Sequence, residues 1–172
     1  MTTHTQQQDT AHLLAVARVG DDALSRVAAP VADPASATIQ ALVRDMFYTM
    51  RMENGCGLAA PQVRKDVRVI TMDVDGTRWV MINPVITDRS DALVSFDEGC
   101  LSVPGKTLRI IRNEHVTVHY TDLRGVTRIV NAHGFLAVVC QHEIDHLDGI
   151  LMTDRYAEQK DLRTKYHIDE TL

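Results

Sequence analysis

Residues 142–146 read His-Glu-Ile-Asp-His. On a helix, His142 and His146 project from one face a turn apart, so both imidazoles can reach a single metal ion. Glu143, beside the first histidine, is then near enough to take a proton from water activated by that ion without being a ligand. Two histidines leave such a site incomplete, since a catalytic centre of this kind has three protein ligands and one open position.

The third ligand has to come from elsewhere. The string continues as far as Gly149 in the manner of the long metalloprotease signature, but Met152 stands where that signature needs a further histidine. Glu158, in an expected helical tail, and Glu170, two residues from the end, are weak candidates. Cys100 is the remaining strong donor. It lies in Glu98-Gly99-Cys100-Leu101-Ser102, followed by Val103-Pro104-Gly105, a constrained loop or strand end. Cys140 and Cys56 are read instead as small buried hydrophobes.

The elements that must position these residues follow from periodicity. Ile39, Leu42, Val43, Met46, Phe47 and Met50 form one helical stripe between a cap at Ser36 or Thr38 and a stop at Asn54-Gly55. Short strands are expected over 67–73, 77–82, 115–120 and 127–130, with turns at Asp75-Gly76 and Arg124-Gly125. Asp75-Gly76 predicts a hairpin, and Pro84 a strand end. A second helix starts near residues 132–134 and carries the histidine pair. On it Phe135, Val138, Val139 and His142 fall at i, i+3, i+4 and i+7, which puts an apolar face beside the metal face. The expected class is α+β, with antiparallel sheets packed around the central histidine-bearing helix.

Composition narrows the function. The chain has 172 residues, 45% of them apolar, enough for one real core. Residues 1–10 read as a flexible tail and residues 11–172 as a single catalytic domain. A formal net charge of −5 argues against a nucleic-acid binder. The three cysteines are too scattered for a disulfide framework and fit a reducing compartment. With no signal peptide or spanning run visible, a cytoplasmic monomer is expected.

Three separated motifs together resemble the peptide deformylase family: Gly55-Cys56-Gly57-Leu58-Ala59-Ala60-Pro61-Gln62, then Glu98-Gly99-Cys100-Leu101-Ser102, then Gln141-His142-Glu143-Ile144-Asp145-His146. Gly20-Asp21, Ala28-Ala29-Pro30-Val31 and Ile82-Asn83-Pro84-Val85-Ile86 extend the resemblance over roughly residues 19–156. It implies that Cys100, His142 and His146 hold one divalent metal and that Glu143 is the general base. It further implies that the Gln62 amide and the Leu101 backbone N–H stabilise an oxyanion, and that Gly57 pairs with the substrate backbone. The substrate would be the N-formylmethionyl end of a nascent peptide, and formate the released product. Phe135, Val138 and Val139, with Leu58, would form the methionine pocket. Glu98 and Arg112 would be paired, and Asp145 would orient a neighbour.

The donor set alone favours zinc. The resemblance implies Fe(II), with nickel, cobalt or zinc able to replace it. It also implies a transient ribosome contact. The chain departs from the family pattern in its mixed-charge end, where Lys160, Arg163 and Lys165 mingle with Asp161, Asp169 and Glu170, and at Val138 and Thr107. Two other readings of the motifs remain: a metallopeptidase built on the same helix, which needs a different third ligand, and a catalytically silent relative. The metal ligands, Glu143 and Leu101 are all intact.

Overall fold

A computed structural model describes residues 10–168. The expected tail falls outside that range except for Thr10. The first helix, α1 (Ala37–Met52), forms where the apolar stripe predicts, and the Ser36 hydroxyl accepts from the Ile39 N–H to cap it. Asn54 ends it in a left-handed conformation at φ 57°. The Asn54 N–H donates to the Arg51 carbonyl and the Gly55 N–H to that of Met50, the paired bonds of a Schellman turn. That turn delivers the chain directly into the first strand.

Seven strands follow: β1 (Gly57–Ala59), β2 (Val69–Val74), β3 (Thr77–Arg89), β4 (Leu93–Gly99), β5 (Thr107–Asn113), β6 (His115–Thr121) and β7 (Thr127–His133). Five of them make an antiparallel sheet in the order β1-β2-β3-β6-β7, and β4 and β5 form a separate hairpin. The predicted hairpin turn is present. Asp75 and Gly76 both have positive φ, at 51° and 75°, between the paired residues Val74 and Thr77.

Among the described residues three helices follow: α2 (Gly134–Leu147), α3 (Met152–Glu158) and α4 (Lys160–Lys165). The five-stranded sheet is covered on both faces. Ile70, Met72, Val74 and Met81 pack with Ala137, Cys140, Ile144 and Leu147 of α2. Val69, Ile82 and Leu58 pack with Ile39, Val43, Met46 and Met50 of α1. Neighbouring residues of β2 therefore serve opposite cores, and its unbroken burial from Val69 to Met72 follows from that. The fold is α+β, with α2 buried at its centre. None of the described helices is long and apolar enough to cross a membrane.

Two expectations need correcting. Pro84 does not end a strand: β3 continues to Arg89. Asn83, at φ 52°, opens a register shift between Ile82 and Val85, and Pro84 occupies the break, where a missing N–H leaves no ladder bond unmade. The Asn83 amide holds the break by bonding both backbone groups of Val31. The second correction is an omission, since β1, β4 and β5 were not expected as strands. The pattern of β4 has exposed residues on both faces, so it lacks the alternation that marks a half-buried strand.

Candidate active site

The β4–β5 hairpin and α2 build the site between them. Gly99 at the end of β4 pairs with Thr107, and the loop between them begins with Cys100. That loop presents Cys100 to the middle of α2. The Cys100 Sγ lies 3.3 Å from the His146 Nε2, and the Nε2 atoms of His142 and His146 are 3.2 Å apart. The three donor atoms lie within 4.8 Å of one another. Ligand atoms at about 2.0–2.3 Å around a tetrahedral ion stand roughly 3.3–3.7 Å from each other. The Cys100–His146 and His142–His146 separations are thus close to those around a single divalent ion. Met152 cannot contribute, being buried against Val103 and Ile110, and Glu158 pairs with Arg155 instead. Glu170 lies outside the described residues.

A buried ionic network fixes the first histidine. His142 Nδ1 is 2.8 Å from Glu98 Oε2, which leaves Nε2 as the free acceptor for a metal. Glu98 in turn receives both arms of Arg112, at 2.7 and 2.9 Å. Arg112 also donates to Asp145 at 2.5 Å, and Arg155 closes the network on the same carboxylate at 2.7 and 3.0 Å. Burial alone would raise the Glu98 carboxyl, but hydrogen bonds from Arg112 and His142 hold it below its ordinary value. Asp145 behaves likewise: burial opposes its charge, and Arg155 and Arg112 restore it. For His146, burial and the neighbouring His142 push the pKa well below 6.5, in favour of the neutral form that a metal requires.

Glu143 is in a different state. Burial pushes its pKa up to about 7, against the attraction of His142. Its Oε2 is buried and has no hydrogen-bond partner among the described residues. An orphaned acceptor beside three converged metal donors is suited to receive a proton from water. β1 runs alongside it. A Cβ at Gly57 would stand 2.8 Å from the Glu143 Cδ and still closer to its carboxylate oxygen, so only glycine lets strand and base approach this closely.

Gln62 sits in the short 3₁₀ turn Ala60–Val63, just after β1, and is buried. Its Oε1 accepts from the Ala59 N–H at 2.8 Å, which aims Nε2 at the Ser102 hydroxyl (3.1 Å) and at the Cys100 Sγ (3.6 Å). Leu101 follows Cys100 in the same loop. A cavity of about 640 Å³ opens over these groups. Phe135, Val138 and Val139 line it together with Gly57, Gln62, Leu101 and Glu143.

The structure thus brings together all the expected site residues but one. Leu58 faces away from the cavity, fully buried against α1, because successive residues of β1 point to opposite sides of the sheet. Phe135 is at the rim, 39% exposed, with its ring 5.6 Å from that of Phe96. Cys140 is buried as expected, whereas Cys56 is exposed and lines the cavity. Ser102 and Arg155 went unassigned in the sequence. Ser102 stood inside a quoted motif. Nothing local distinguishes Arg155, whose partner is ten residues away on another helix.

Comparison with known proteins agrees with this geometry. A family model described as polypeptide deformylase matches residues 13–162. The chain is 44% identical over 142 residues to a peptide deformylase of Treponema pallidum (strain Nichols), covering 83% of this chain and 87% of that protein. It is 40% identical over 150 residues to one from Dictyoglomus turgidum, covering 87% and 97%. Among solved structures, the Met-Ala-Ser-bound class I type b peptide deformylase of Acinetobacter baumannii superposes with a TM-score of 0.82 at 37% identity, covering 85% of this chain and 99% of that one. With its core, its converged donors and these relatives in agreement, the chain belongs to the polypeptide deformylase family.

Proposed function

We propose that the deformylation carried out by this family member, the removal of formate from N-formylmethionine at the start of newly made polypeptides, runs through Glu143, Gln62 and Leu101 at a metal held by Cys100, His142 and His146. The observation that carries this reading is the convergence of those three donors beside a buried Glu143 oxygen that has no other partner among the described residues. A divalent ion there would supply a Lewis acid that acidifies water and polarises the formyl carbonyl. Fe(II) is the ion we assign, with zinc, nickel or cobalt as substitutes.

The chain's own residues do the rest. Glu143 takes one proton from the attacking water as the oxygen bonds to the formyl carbon, and passes it to the amine nitrogen as the C–N bond breaks. The Gln62 Nε2 and the Leu101 N–H donate to the carbonyl oxygen as it gains negative charge. The Ala59 N–H and Ser102 hydroxyl hold the Gln62 amide in one orientation, and the second Nε2 hydrogen, aimed here at the Cys100 Sγ, is the one available to the carbonyl oxygen. The Gly57 backbone is placed to pair with an extended peptide, and Val138 and Val139 to receive the methionine side chain, with Phe135 closing the outer end. A cytoplasmic monomer acting on nascent chains fits this chemistry. For ribosome contact α4 offers two lysines only, because the Arg163 guanidinium stacks 3.6 Å over the Tyr156 ring.

Formate release from formyl-Met-Ala-Ser by metal-loaded protein, kept from oxygen, tests this reading. Turnover in the wild type and its loss by at least about 10²-fold in Glu143→Ala support it. Undiminished turnover in the variant overturns the assignment of the base.

A further inference from the structure

The cavity has one wall whose purpose the mechanism leaves unassigned. The N-terminal segment before the Asp22–Ser25 turn is tied to both loops that carry the oxyanion donors. The Ala17 N–H donates to the Gln62 carbonyl at 2.7 Å, and the Val19 N–H to the Ser102 carbonyl at 2.8 Å. Between them, the Arg18 guanidinium donates through Nη1 to the Leu101 carbonyl. Its other nitrogen, Nη2, is 3.9 Å from the Glu53 carboxylate across the cavity mouth. Arg18 is half exposed and lines the cavity, so its charge is solvated and its role is directional.

The loop that Arg18 grips is a tight turn. The Val103 N–H donates to the Cys100 carbonyl at 3.0 Å, which makes Leu101 and Ser102 its two central residues. The turn's hydrogen bond orients the Cys100–Leu101 peptide, which carries the Leu101 N–H, whereas the Leu101 carbonyl lies in the next peptide, takes no part in closing the turn and is held from outside. Here the holder is Arg18. The Leu101 side chain is confined as well, since a Cβ on Gly55 would come within 2.8 Å of the Leu101 Cδ1.

We propose that Arg18 is a positioning residue for deformylation: by fixing the Leu101 carbonyl it steadies the second peptide of the turn, and with it the Leu101 backbone whose N–H, in the first peptide, faces the developing oxyanion. The role rests on the oxyanion assignment made above. It acts through the turn and needs no contact with substrate. A donor displaced by a fraction of an ångström loses much of its effect on the transition state while ground-state binding is hardly altered.

Metal-loaded Arg18→Ala, Arg18→Lys, Arg64→Ala and Gln62→Ala enzymes test it, with kcat and KM for formyl-Met-Ala-Ser and Kd for the product Met-Ala-Ser as readouts. The product lacks the formyl group and so does not report on the oxyanion donors. Arg18→Ala is expected to lower kcat about tenfold while KM and product Kd stay within about twofold. Arg18→Lys, which keeps a donor, recovers part of that loss. Arg64 ties the same segment from outside the cavity, through the Ala15 carbonyl and Asp21, so Arg64→Ala lowers thermal stability and spares kcat. A rise in KM at constant kcat for Arg18→Ala would instead make Arg18 a substrate contact, and an equal kcat loss in Arg64→Ala would assign the effect to the segment as a whole. Either result overturns the proposal. If Gln62→Ala loses kcat and Arg18→Ala does not, the role of Arg18 falls alone. If neither loses kcat, the oxyanion assignment falls with it.

Discussion

Chemistry at the residue scale depends on one close approach. The carboxylate of Glu143, proposed above as the base, lies directly against β1 at a residue that has no side chain. Gly57→Ala is therefore expected to displace the Glu143 carboxylate and cut kcat by about 10²-fold, with the fold intact by circular dichroism. A variant that keeps full activity would show that base and strand are not coupled. The sequence marked Glu143 as a candidate base through types and spacing, and Gly57 through the family resemblance. It did not reveal that the two touch, because they are far apart in the chain and meet only through the packing of α2 on β1. Leu58 and Cys56 were misjudged for a related reason: which residues of a three-residue strand face the cavity depends on how that strand is set against both helices. Ser102 shows the same limit, since its partner Gln62 comes from a different loop.

Among the elements, the β4–β5 hairpin and α2 meet through the Glu98–Arg112–Asp145 network, which aligns His142 and brings Cys100 to it. Arg112 is buried between two carboxylates, and its own pKa is raised by them despite the opposing effect of burial. Its removal leaves Glu98 with His142 alone and Asp145 with Arg155 alone, at a cost of about 3–5 kcal/mol. Arg112→Ala should accordingly show a large fall in Tm and a weakened hold on the metal. Unchanged Tm and metal content would contradict the network's role. The pairing of Glu98 with Arg112 came from the family resemblance. The strands that carry them were not read, because β4 is neither alternating nor continuously apolar. By contrast α1, α2 and the Asp75-Gly76 hairpin were legible from local rules, namely an amphipathic stripe, a cap and a turn whose two residues accept positive φ. Pro84 misled for the opposite reason: a local rule was applied where Asn83 and Val31 had already rearranged the ladder.

At the scale of the whole molecule, an ion held by Cys100, His142 and His146 would tie the hairpin loop to the central helix, beside the polar network that already links them. A metal bound to the folded state and not to the unfolded chain stabilises the fold by mass action. Chelation under anaerobic conditions is expected to lower Tm by several degrees and abolish turnover, and re-addition of Fe(II) or Ni(II) to restore both. A Tm indifferent to chelation would mean that the ion is not held by these two units. The overall class was legible because its chief determinants are local: two helices of different apolar pattern and strands joined by short turns. The sheet order was not, since β6 reaches β3 across the β4–β5 hairpin, and no local signal encodes that pairing.

The central claim, that Cys100, His142 and His146 hold the ion on which deformylation depends, is tested most directly by metal content and formate release measured together on anaerobically purified wild type and Cys100→Ala. One ion per chain with turnover in the wild type, and loss of both in the variant, is the predicted result. A Cys100→Ala protein that still binds one ion and still releases formate would contradict it.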